Sequence, residues 1–122
     1  MIEHNLDTTH SILYVRPKSA FEKNDFVQLA KTVDPYIEAN GILAGLIIEA
    51  ATFPGWENLG SIAAHFRFVR DHHKHIKKVA LVTNSALGNV AEHFASHFVS
   101  AEIRHFPATA LEAAKQWVMN RP

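Results

Sequence analysis

The sequence predicts an α/β domain: a single mixed, mostly parallel β-sheet with four helices, in the order β-β-α-β-α-β-α-β-α. Three observations predict it. Leu43 to Ala50 and Lys78 to Thr83 are short, nearly continuous apolar runs, as expected of strands covered on both faces. Between the runs lie segments whose apolar residues recur at helical spacing. The regular alternation of the two kinds of segment is that of parallel strands joined by right-handed crossovers.

Each element follows in order. Ile2 to Leu6 reads as a weak edge strand, Asp7-Thr8-Thr9 as a turn, and Ser11 to Val15 as a stronger strand ended by Pro17. The short link between them predicts an antiparallel hairpin. Phe26, Leu29, Ala30, Val33, Tyr36 and Ile37 mark the first helix, with Asn24 as N-cap, Pro35 as a kink or restart, and Asn40-Gly41 as the stop. The second helix carries Leu59, Ile62, Ala63, Phe66 and Val69 as its core face and ends in Asp71-His72-His73-Lys74-His75, read as a solvated turn. Leu87, Val90, Ala91, Phe94 and Phe98 mark the third helix, Ala101 to Phe106 the last strand, and Ala110, Ala113, Ala114, Trp117 and Val118 the last helix.

Composition excludes several function classes. The 122 residues fit one domain spanning 1–122, with 48% hydrophobic and 20% charged residues. Lys+Arg and Asp+Glu are equal at 12 each, so the basic footprint of nucleic-acid binding is missing. With no cysteine, there is no disulfide, thiolate nucleophile or cysteine zinc site. The N-terminus lacks a signal-peptide pattern, and the longest apolar run, Ile42 to Ile48, is too short to span a bilayer. The expected location is the cytoplasm.

Certain stretches carry a resemblance over nearly the whole chain. They are Leu46-Ile47-Ile48-Glu49, Phe53-Pro54-Gly55-Trp56, Val79-Ala80-Leu81-Val82-Thr83, Ala101-Glu102-Ile103-Arg104-His105-Phe106 and Ala113-Ala114-Lys115-Gln116-Trp117-Val118. In their order and spacing the chain resembles the SpoIIAA-like family, small bacterial proteins related in fold to the STAS domains of anti-sigma-factor antagonists. The resemblance implies a mixed sheet with helices packed on it and kinship in fold to lipid-carrying CRAL-TRIO domains, and it implies no reaction. Anti-sigma-factor antagonists have a phosphorylatable serine in an Asp-Ser-Ser-Gly-like motif after the middle strand. Here that region reads Trp56-Glu57-Asn58-Leu59-Gly60-Ser61-Ile62, and the expectation is that Ser61 is not a phospho-switch.

The remaining chemistry-bearing patterns are weak. His93 and His97 share a helix face, but no carboxylate ligand is specified by spacing, and Phe94 stands where a zinc protease has its glutamate; no metal site is expected. The five glycines match no phosphate-binding fingerprint, no cofactor is expected, and no catalytic residue is assigned. The candidate site is the loop after the middle strand. Glu49 ends an otherwise apolar run at the carboxyl end, where open α/β sheets bind ligands. A carboxylate there needs a donor or a use. Phe53 and Trp56 flank the Pro54-Gly55 turn and are expected to line a pocket or contact surface with Glu49 at its floor. The competing reading has both rings capping the core. The expected function is a non-enzymatic binding or regulatory module that meets a protein partner or a small apolar ligand at loop 50–57. The alternatives are a small enzyme using Glu49 with a histidine such as His105 and a purely structural homodimer. Self-association is expected because Phe66 and Phe68 point to different faces of one helix, so one of them needs cover.

Overall fold

Residues 2–52, 54–84 and 100–120 are described by the computed structural model. They build one five-stranded sheet and three helices. The strands are β1 (Ile2–Asp7), β2 (Ile12–Pro17), β3 (Leu43–Glu49), β4 (Ile76–Val82) and β5 (Glu102–Phe106), in spatial order β1-β2-β3-β4-β5. The β1–β2 pair is antiparallel, and the β2–β3, β3–β4 and β4–β5 pairs are parallel. The helices are α1 (Lys23–Asn40), α2 (Leu59–His72), which runs into a 3₁₀ turn at His73–His75, and α3 (Leu111–Met119). The expected helix carrying Leu87, Val90, Ala91, Phe94 and Phe98 lies outside the described residues. Among those described, no helix is long and apolar enough to cross a membrane.

The hairpin that opens the sheet is tied locally. Asp7 Oδ1 accepts from the backbone N–H of Thr9 (3.0 Å) and His10 (3.2 Å). Ser11 has φ 61°, uncommon for a residue with a Cβ. That conformation is held from the next strand: Ala44 N–H donates to Ser11 Oγ and Gly45 N–H to the Ser11 carbonyl.

Strand alternation divides the core in two. Leu13, Val15, Leu46 and Val79 bury against α1 and α2, with Phe26, Leu29 and Val33 of α1 inserted between. Ile12, Ile47, Ala80, Val82 and Phe106 bury against Ala114 and Val118 of α3 on the other face. Gly45 lets α3 come close, since a Cβ there would overlap the Val118 side chain.

Two helix starts and one helix face differ from expectation. The N-cap of α1 is Glu22, not Asn24; Asp25 accepts from the Glu22 N–H at 2.8 Å. The helix continues through Pro35, whose exposed position limits the loss to one ladder bond. The last helix begins at Leu111 with Ala110 before it, and Ala113 is exposed. On α2 the buried residues are Ser61, Ala64 and His72, with His65 and Phe68 half-buried; Leu59, Ala63 and Phe66 are exposed. Of the expected core face, Leu59, Ala63 and Phe66 therefore point away from the core, and Ile62 and Val69 are half-buried at its edge. Buried polar groups cost little once paired, and each of these has its partner. Ser61 N–H and Oγ–H both donate to Asn58 Oδ1. His72 lies 2.7 Å from the Phe68 carbonyl through Nδ1 and 2.6 Å from Asp34 Oδ1 through Nε2, with its ring stacked on Phe68. His72 is thus a buried link between α2 and α1 and not part of a solvated turn.

Candidate functional site

The carboxyl ends of β2 and β3 lie side by side because the two strands are parallel, with Val15 opposite Ile48. One residue further on, Arg16 Nε donates to Glu49 Oε1 at 2.7 Å. The carboxylate that ends the apolar run thus has the guanidinium of the neighbouring strand as its donor. Both side chains lie on the sheet face that α3 covers, beyond the reach of the helix. A cavity of about 290 Å³ opens there, lined by Arg16, Pro17, Lys18, Glu49, Ala50, Ala51 and Ala108. A smaller one of about 170 Å³, lined by Glu3, His4, Asn5, Tyr14 and Arg16, shares the same arginine.

Backbone ties fix the walls. Ala50 N–H donates to the Val82 carbonyl, while Asn84 N–H and Thr83 Oγ–H donate to the Ala51 carbonyl. Ala108 N–H donates to Asn84 Oδ1 at 3.0 Å. The loops after β3, β4 and β5 are therefore stitched together around the cavity. Chemically, the lining offers an arginine–glutamate pair, one lysine and small apolar side chains. Such a lining suits recognition of a small polar group.

Trp56 lies elsewhere. It packs against the α1–α2 core, and its Nε1–H donates to His65 Nδ1 at 3.0 Å. The loop around it is pinned to the entry of α1, since Phe21 N–H donates to the Gly55 carbonyl and Glu57 N–H to the Phe21 carbonyl. His65 is sandwiched by rings, stacked on Phe26 at 4.9 Å and edge-on to Phe21 at 5.5 Å. Burial in that apolar box pushes its pKa down to about 4, so the ring is neutral and free to accept at Nδ1.

Of the three site residues expected from sequence, Glu49 lines the cavity and Trp56 does not; Phe53 lies outside the described residues. His105 is on the other sheet face from Glu49: it pairs with Leu81 across the ladder, whereas Glu49 pairs with Val82. Its Nε2 lies 2.7 Å from the Thr83 carbonyl. His93 and His97 also fall outside the described residues, among which no three His, Asp or Glu side chains converge. Sequence reasoning missed Arg16 and Lys18. The signal was available, since the rule that singled out the end of β3 applies equally to its parallel neighbour β2. No comparable signal marks His65 or the Asp34–His72 pair.

The comparisons agree with this architecture. No curated protein matches the chain. The crystal structure of an uncharacterised protein from Shewanella loihica PV-4 with a SpoIIAA-like fold superposes with a TM-score of 0.75, covering 97% of this chain and 92% of that one at 19% identity. At that identity the likeness is one of fold. The SpoIIAA-like family model matches residues 12–119, all but the first strand and the last few residues, and the chain belongs to that family.

Proposed function

We propose that this chain is a non-enzymatic binding module whose ligand is met at the carboxyl ends of β2 and β3. The fold family supports a binding or regulatory module in general terms. The observation that carries the finer reading is the cavity of about 290 Å³ between Arg16, Lys18, Glu49 and the loops after β3 and β5. It stands where open α/β sheets receive ligands and is large enough for a small molecule or one side chain of a partner. The charged lip favours a ligand with a polar group over the wholly apolar one expected from the loop aromatics. Glu49 holds the Arg16 guanidinium by Nε, leaving its terminal nitrogens to face the ligand. Trp56 takes a supporting part by anchoring loop 50–57 on His65.

Native mass spectrometry of the purified protein, followed by titration of whatever small molecule is released, tests the reading. Ala51 is exposed, so Ala51→Trp fills the cavity mouth without disturbing the core. The expected result is loss of ligand binding at unchanged melting temperature. Undiminished binding by the Ala51→Trp protein would place the ligand elsewhere.

A further inference from the structure

We propose that the outward face of α2 is a self-association surface, on which a second copy of this chain docks antiparallel about a two-fold axis between Ile62 and Ala63. Leu59 is 83% exposed and Phe66 65% exposed, two large apolar side chains on a helix whose core face is already complete. They are two turns apart and share one stripe, with exposed Ala63 between them. The stripe is directly opposite Ser61, Ala64 and Phe68, so nothing among the described residues requires it to be apolar.

The occupant follows from the pattern of size and charge. A two-fold axis between Ile62 and Ala63 sets Leu59 of one copy on Phe66 of the other, and the same contact recurs on the far side of the axis, as an isologous interface requires. The small side chain at the crossing, Ala63, lets the two helices approach closely. The same register brings Glu57, just before the helix, within one residue of the position opposite Arg67 of the second copy, again twice. Glu57 and Arg67 are exposed and form no salt bridge among the described residues, and Asp71, one turn on, is the carboxylate that feels the Arg67 charge. The face is thus self-complementary in shape and charge: acidic at one end, basic at the other, apolar between. A contact limited to one helix pair is small, so the dimer is weak and concentration-dependent.

Sedimentation velocity of the full chain from about 10 µM to about 1 mM spans the range in which such a dimer forms. The expected result is a rising sedimentation coefficient for the parent protein. Phe66→Glu should weaken association by at least about tenfold while leaving the melting temperature unchanged, because the ring is exposed. Glu57→Lys should weaken it too, and adding Arg67→Glu to Glu57→Lys should restore it, because the two-fold brings the two long side chains within reach of each other. A chain that stays monomeric at about 1 mM overturns the proposal, whether the stripe is bare or covered by other parts of the same chain. So does a dimer indifferent to Phe66→Glu, or a double reversal that fails to restore association. None of these outcomes touches the cavity on the opposite side of the sheet.

Discussion

The two faces of the sheet are filled by different means. Under α3 the core is small and wholly apolar: Ile12, Ile47, Ala80, Val82, Phe106, Ala114 and Val118, with α3 drawn close over Gly45. Under α1 and α2 the core is larger, and aromatic and polar groups share it: Phe21, Phe26, Trp56 and Phe68 with His65, His72, Asp25 and Ser61. The first face relies on fit, the second on rings and polar side chains joined by hydrogen bonds. Fit is insensitive to pH, whereas a core hydrogen-bonded through histidine is not. The contrast also places the cavity. The short α3 leaves the ends of β2 and β3 uncovered, whereas loop 54–57 caps the other face.

The largest expected effect breaks the polar face with acid. His65 has its pKa lowered from 6.5 to about 4 by burial, so the unfolded chain binds the proton more readily than the folded one. Stability from this group is complete above about pH 6.5 and is lost as pH falls toward 4, by about 2–3 kcal/mol in all. Protonation also removes the Nδ1 acceptor of the Trp56 N–H, so indole fluorescence should report the same transition. Denaturant titrations between pH 7 and 4 check the size. His65→Phe should flatten that part of the profile; an unchanged acid loss would assign it to other groups.

The next effect breaks the fitted face. Gly45→Ala puts a methyl group into the Val118 side chain. Overpacking of this kind costs about 1–3 kcal/mol, and the companion change Val118→Ala makes room for the methyl. The double variant should therefore be more stable than the sum of the two single losses predicts. Additive losses would show that α3 shifts and does not clash.

How much of this was legible in the sequence differs between the two faces as well. The strand runs, the hairpin and the end of α1 at Gly41 follow from apolar patterning and turn residues, and the apolar α3 face was read correctly at Ala114, Trp117 and Val118. The orientation of α2 was not legible, because pattern reading counts serine and histidine as outward-facing. Ser61, His65 and His72 are inside because Asn58, Trp56 and Asp34 pair with them; Asn58 and Trp56 precede the helix and Asp34 belongs to α1. Likewise Glu49 could be recognised as a carboxylate in need of a donor, but the donor, Arg16, is 33 residues away and becomes a neighbour only through the parallel β2–β3 register. Patterning reveals what a strand or helix buries when the buried groups are apolar. It is silent where long-range polar pairing decides.

The smallest expected effect sharpens the comparison at one of those long-range pairs. His72 is buried between the Phe68 carbonyl and Asp34 Oδ1, within hydrogen-bond distance of both, and so links α2 to α1. Asp34 is exposed on its other side, with a side-chain exposure of 55%. Removing its charge therefore strands nothing in the core and leaves His72 its bond to the Phe68 carbonyl. Asp34→Asn keeps the shape and replaces a carboxylate by an amide that can still accept, and it should cost about 1 kcal/mol, the difference between a charge-assisted and an ordinary hydrogen bond. The effect should be local as well as small. Amide exchange ought to quicken at the α1–α2 contact around Val33 and Phe68 and leave α3 and the residues under it untouched. If exchange rose equally on both faces, the two halves of the core would be acting as one cooperative unit, and the distinction between a fitted face and a paired face would describe their chemistry without describing their stability.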